Sequence, residues 1–95
     1  MNQPIPTARF PLGNIVSTPS ALNLLNAHNL SPFHFLVLHQ GGQWGDVRSE
    51  DVHANELALI SGAQLLSVYL VGEERLWIIT EADRSITTLL LPGEY

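Results

Sequence analysis

Cysteine is absent from the 95-residue chain, and so is lysine. The first absence excludes disulfide frameworks, thiolate metal sites and a cysteine nucleophile, and makes a cytoplasmic home the default expectation. The second leaves Arg9, Arg48, Arg75 and Arg84 as the only fixed cations in a chain of net charge −5. Non-specific duplex binding draws on about 6–10 phosphate contacts, which four scattered arginines cannot provide. A general nucleic-acid coat is therefore excluded, while a small site for a strand end or loop is not. No run approaches the roughly 18 apolar residues that span a bilayer, so no membrane partner is expected. Pro4, Pro6 and Pro11 interrupt a first segment with no apolar stretch, and a secretory leader is not expected either.

What is present suits one small core. Hydrophobic residues make up 45% of the chain and charged residues 14%, which argues against disorder. The length fits a single domain. The proline-rich residues 1–12 read as an extended arm, and 13–95 as the domain. The missing lysines admit two explanations: biased codon usage, or an acidic surface aimed at a basic partner.

Gly13 to Val16 fits a short strand or a packed lead-in. Thr18-Pro19 then reads as a helix start, with Thr18 as N-cap and Pro19 at the first helical position. Ala21, Leu22, Leu24 and Leu25 form its apolar stripe, and it should end near Asn29. Ser31-Pro32 repeats the device for a second helix carrying Phe33, Leu36, Val37 and Leu38, stopped by Gly41-Gly42. Ser49 is a plausible cap for a third, whose apolar residues are Val52, Leu57, Leu59 and Ile60, with Gly62 as terminator. From Gln64 the period changes to two. Leu66, Val68 and Leu70 share one face, and three strands joined by turns at Gly72–Glu74 and Glu81–Arg84 form an antiparallel meander over 64–91. The fold class is α+β, short N-terminal helices packed on that C-terminal meander. Leu36, Leu66, Val68, Leu76, Ile78 and Leu89 are its expected core.

Chemistry-bearing residues gather in two places. One is the Gly41–Val47 loop, with Trp44 and Asp46. The other is the insert Glu81, Asp83, Arg84 and Ser85 between two apolar runs. Trp44 is either a plug folded over the core or a binding anchor. Arg84 beside strand hydroxyls could hold a phosphate or carboxylate; an Asp83–Arg84 pair closed by Ser85 explains the same residues without a ligand. Asp51 and Asn55 share one face of the third helix, as a solvated stripe or a cleft wall. His34 and His39 are five apart on one helix and diverge by about 140° around its axis, a poor metal pair. No metal site and no cofactor are expected. His39 ends its helix beside the glycine loop, where a cation would be favoured.

From Phe10 to Tyr95 the chain resembles a family of small uncharacterised proteins encoded on bacterial plasmids and integrated mobile elements. The matching segments are Phe10–Leu22, Trp44–Asp46, Leu65–Tyr69 and, most specifically, Trp77–Tyr95. Shared residues that are not simple core formers include His39, Trp44, Asp46, Asn55, Tyr69, Thr80, Glu81, Asp83, Arg84, Ser85 and Thr88. The resemblance implies a setting, a mobile element in a bacterial host, and no known activity.

Three functional readings follow. In the first, the protein binds another protein with a basic surface, as an acidic antagonist of a host restriction or CRISPR-type complex. Glu50, Asp51, Glu73, Glu74, Glu81 and Asp83 supply the field, and Trp44 or Tyr95 the anchor. In the second, helices followed by a meander with a hydroxyl-rich last strand resemble small ribonuclease toxins of the barnase and RelE type. Arg84 and Thr88 or Ser85 would then hold the phosphate, while His39 or Glu81 moved protons. The third is a homo-oligomeric regulatory module. In any of them the expected surface joins the Gly41–Asp46 loop to the Glu81–Ser85 turn.

Overall fold

A computed structural model describes residues 7–95. Its elements are β1 (Asn14–Ser17), α1 (Pro19–Ala27), α2 (Pro32–Gln40), α3 (Ser49–Ser61), β2 (Leu65–Val71), β3 (Glu74–Thr80), β4 (Ile86–Leu90) and a 3-10 turn at Pro92–Glu94. The antiparallel meander is present: Leu65 lies opposite Thr80, and Trp77 opposite Leu90. The sheet is nevertheless mixed and four-stranded, in the order β1-β4-β3-β2, because β1 runs parallel to β4. Four residues carry too little pattern to announce a pairing. A local device fixes it instead. Gly13 has φ +66°, and a side chain there would overlap the Ser85 carbonyl. That approach lets Asn14 N–H donate to Ser85 O at 2.9 Å and Thr18 N–H to Leu89 O at 3.0 Å.

Both Ser/Thr-Pro starts behave as capping requires. Thr18 Oγ1 accepts from the Ala21 N–H, and Ser31 Oγ from the Phe33 N–H, each at 3.2 Å. Helix α1 buries Ala21, Leu24 and Leu25. Helix α2 buries Phe35, Leu36 and His39, and leaves Phe33 and Val37, two of the apolar residues read into it, exposed. The buried positions 35, 36 and 39 form one helical face, and a histidine completes it. Helix α3 departs further. Arg48 takes the cap position without a side-chain bond, and Ser49 is the first helical residue. Val52, Leu57 and Ile60 point to solvent, Ile60 being 86% exposed, while Asn55 and Ala58 face inward. The helix sits at the β2 edge, so a narrow face of two small residues suffices.

The main core lies between α1–α2 and one sheet face, where Tyr69, Val71, Leu76, Ile78 and Leu89 meet Leu24, Leu25, Phe35 and Leu36. Alternation puts Leu66 and Val68 on the opposite face, so these two expected core residues are not under the helices. Val68 is buried there and Leu66 half-buried.

Of the arm expected over 1–12, residues 1–6 lie outside the described residues. Residues 9–12 are not an arm but part of the domain. Arg9 N–H donates to Gln40 O, Gln40 Nε2 to Phe10 O, and Thr87 Oγ1 to Leu12 O. Phe10 is buried against Trp44, Ala58 and Leu65. Among the described residues no helix is long and apolar enough to cross a membrane.

Candidate functional site

Strand alternation puts Ser67, Thr80 and Thr87 on the helix-facing side of the sheet, among its apolar neighbours. All three are fully buried, and so is His39 above them. His39 Nδ1 lies 2.6 Å from Ser67 Oγ and Nε2 2.8 Å from Thr80 Oγ1; Thr80 Oγ1 lies 2.7 Å from Thr87 Oγ1. Thr87 Oγ1 donates to Leu12 O at 2.7 Å. A hydroxyl has one proton, and the last bond fixes the direction of the rest. Thr80 donates to Thr87, His39 Nε2–H to Thr80, and Ser67 to His39 Nδ1. The imidazole is assigned as the neutral Nε2–H tautomer by this accounting.

Burial pushes the His39 pKa down to about 3, with the positive charge of Arg84 adding to the effect. The expectation of a cation at the end of α2 is thus corrected. Desolvation of a fully enclosed ring outweighs the attraction of a helix C-terminus, which amounts to about 0.3–1 kcal/mol at an exposed site.

The two expected loops do converge, on Phe10. The Trp44 ring stacks on Phe10 at 6.3 Å, and the Arg84 guanidinium carbon lies 5.8 Å from the same ring centroid. His39 meets both aromatic rings edge-on. What forms there is a closed plug. Trp44 is only 4% exposed, with Nε1 donating to Glu56 Oε2 at 3.1 Å. Glu56 also holds Arg9 at 2.7 Å, and both the guanidinium and the indole keep its carboxyl below the usual carboxylate range.

Arg84 acts as a C-terminal brace for α3. Its guanidinium donates to Ala58 O at 3.0 Å, Ala63 O at 2.6 Å and Glu81 O at 3.1 Å. The residue holds a left-handed φ of 61° to reach them. The expected Asp83–Arg84 pair is absent. Asp83 Oδ1 instead accepts from Ser85 N–H at 3.0 Å and Ser85 Oγ at 2.6 Å, which keeps its carboxyl ionised to lower pH than usual. Arg84→Ala should cost about 2 kcal/mol, a fall of roughly 10 °C in Tm. An unchanged Tm in a thermal melt would return Arg84 to the ligand-binding candidates.

Asp46 pairs with Arg75 at 2.5 Å on the surface. Its backbone belongs to a clasp over the β2 edge. Asp46 N–H donates to Val68 O, and Val68 N–H to Trp44 O at 3.0 Å. The Asn55 amide repeats the pattern one step along, donating to Leu66 O at 2.7 Å and accepting from Leu66 N–H at 3.1 Å. Loop and amide thus occupy the outward backbone groups of Leu66 and Val68 on β2, which would otherwise invite another strand.

The four groups of the nuclease constellation share no site. His39 is enclosed, Arg84 is occupied by carbonyls, Glu81 is exposed at a turn, and Thr88 faces the sheet side opposite Thr87. An open cleft of about 480 Å³ does lie on that opposite side, where Leu66, Val68 and Trp77 meet Asp46, Asp51 and Arg75. Tyr95 packs on Trp77 at 5.7 Å. No group of three or more metal-ligating side chains occurs among the described residues.

Sequence reasoning missed Phe10, Glu56 and the joint role of Ser67, Thr80 and Thr87. The signal was available: each hydroxyl lies two residues from a core aliphatic or aromatic on the same strand face. Comparison with protein-family models, curated proteins and solved structures gives no match to this chain.

Proposed function

We propose that this protein is a binding module, an accessory protein of a bacterial mobile element that engages a basic protein surface. One observation carries this reading. His39 and its hydroxyl partners are held inside the fold and Arg84 is occupied by carbonyls, while Glu50, Asp51, Glu73, Glu74, Glu81 and Asp83 are exposed and in no ion pair among the described residues. Arg9 and Arg75 are paired, Arg84 is bound to carbonyls, and Arg48 is exposed on the cleft wall without an ion pair among the described residues, so the outward field is acidic by the excess of carboxylates.

The carboxylates fall into two groups. Glu73 in the β2–β3 turn and Glu74 at the start of β3 stand at one end of the sheet; the β3–β4 turn carries Glu81 and Asp83 at the other. The cleft, with Asp51 on its wall and Trp77 in it, lies on the sheet face between these two ends. This is the contact surface of the proposal: carboxylates to attract arginine or lysine, and the Trp77–Tyr95 pair to stack on it. Trp44, buried in its plug, is replaced as anchor by Trp77.

The nucleic-acid groove of a host restriction or CRISPR-type complex is the kind of basic surface that fits. Candidate complexes mixed with the protein at low salt should co-elute and lose nuclease activity. Reversing Asp51, Glu73 and Glu74 to lysine should abolish both effects and leave Tm nearly unchanged. Absence of co-elution and inhibition with every complex tried would overturn the reading.

A further inference from the structure

The β1 edge of the sheet, unlike the β2 edge, has no clasp. Asn14 and Thr18 N–H groups point to β4, so alternation turns the backbone N–H and C=O of Ile15 and Ser17 outward. No other strand pairs with them among the described residues. Beside this edge, Ile15, Leu22, Phe33 and Leu36 line an apolar groove of about 350 Å³. Ile15 is 44% exposed, Val16 46% and Phe33 66%. Natural edges are usually blunted by lysine, proline, a bulge or an inward charge. Strand β1 has none of these.

Charge selects the occupant. From Phe10 to Gly45 the chain contains no Asp, Glu, Lys or Arg, so β1, α1 and α2 are free of fixed charge. Two carboxylates of neighbouring segments, Glu94 and Asp83, are turned onto their own chain. Glu94 Oε1 accepts from Thr18 Oγ1 and the Leu91 N–H, and Asp83 from Ser85. A chain of net charge −5 repels its own copies over most of its surface. This face is where two copies can meet without opposing charges or desolvating them.

We propose that the protein forms a homodimer by antiparallel pairing of β1 with β1 of a second copy, extending the sheet across a two-fold axis. The register follows from which groups face outward. Hydrogen-bonded antiparallel partners exchange both bonds, so Ile15 pairs with Ser17 of the partner and Ser17 with its Ile15. Val16 then faces its own copy as a non-hydrogen-bonded pair, the closer of the two pair types. Both sets of helices lie on one side of the joined sheet. There the grooves adjoin, and each Phe33 and Leu22 gains cover from the other copy. The interface is isologous, as a closed dimer requires.

Light scattering coupled to gel filtration should give twice the 10.5 kDa chain mass at micromolar concentration and above. Ile15→Pro removes one outward N–H and none of the bonds to β4, and should return the mass to that of one chain with the circular dichroism spectrum kept. The chain has no cysteine, so Val16→Cys supplies a single thiol at the two-fold axis. Mild oxidation should crosslink it far faster than Leu70→Cys, an exposed control on β2. A monomeric mass up to millimolar concentration would overturn the proposal. So would a dimer that Ile15→Pro leaves intact and Val16→Cys does not crosslink, because it would use another surface.

Discussion

Replacing Gly45 by alanine should destabilise the protein by about 3 kcal/mol or more and make it prone to aggregate. Gly45 has φ +82°, a left-handed conformation costing an L-residue roughly 1–2 kcal/mol. An added Cβ would overlap the Val68 carbonyl oxygen and crowd the Tyr69 ring. The loop could relieve that overlap only by moving off β2, which breaks the bonds from Asp46 N–H and Val68 N–H, worth about 1 kcal/mol each. The Tyr69 hydroxyl, which donates to Gln43 O at 2.6 Å, would be disturbed too. The bared β2 edge then becomes a template for other chains. Urea denaturation gives the stability loss, and light scattering on warming gives the aggregation. A variant within about 0.5 kcal/mol of the parent, the range of ordinary surface changes, would show that the clasp contributes little.

His39→Ala should cost about 3–5 kcal/mol, against a total stability of about 5–15 for a domain. Two effects combine: a cavity beneath Phe10 and Trp44, and unmet hydrogen bonds at two buried hydroxyls, Ser67 losing its partner and Thr80 keeping only its bond to Thr87. His39→Leu combined with Ser67→Ala and Thr80→Val should recover much of the loss, because an apolar set of similar shape leaves no orphaned polar group. Stability should also depend on pH in a defined direction. In the unfolded chain His39 takes up its proton near 6.5, and in the fold only near 3. Between these values the unfolded state binds more protons. Stability is therefore full above about pH 6.5 and falls as the pH drops toward 3, by up to about 1.4 kcal/mol per unit. Glu56, Asp83 and Glu94, held below their ordinary values by hydrogen bonds, add losses only at more acid pH. His39→Gln should flatten the profile between pH 6.5 and 4.5. Urea unfolding across that range measures it, and an unflattened profile would remove His39 as its cause.

The legible parts of the sequence were those with local causes. Thr18-Pro19 and Ser31-Pro32 announce helix starts because capping involves only the next two or three residues. The meander is legible because its alternation persists through β2 and β3. What could not be read depends on partners distant in the chain. Val52, Leu57, Leu59 and Ile60 suggest a buried face for α3. Its burial is instead decided by the edge it covers, which takes Asn55 and Ala58 fully and, of those four, only Leu59 in part. The pairing of β1 depends on Gly13 meeting Ser85, and no rule based on four residues contains that. For the candidate site, the sequence identified residues that do meet, Trp44 and Arg84, but not what they meet around. Phe10 lies in a segment whose prolines suggest an arm, yet it fills the space between them. Asp46, Arg84 and Ser85 carry groups that suit a ligand equally well, and only their distances show carbonyls, Arg75 and Asp83 as partners.

The central claim is that the chemically loaded interior of this protein is architecture and that its function belongs to its surface. Nitrogen and proton NMR of the His39 imidazole across pH 5–8 tests it most directly. The account predicts a neutral Nε2–H tautomer throughout, with no titration and a ring proton that exchanges slowly with water. A His39 that titrates near neutrality and exchanges its ring proton freely would contradict it, because that histidine would be open to solvent and able to move protons for a substrate.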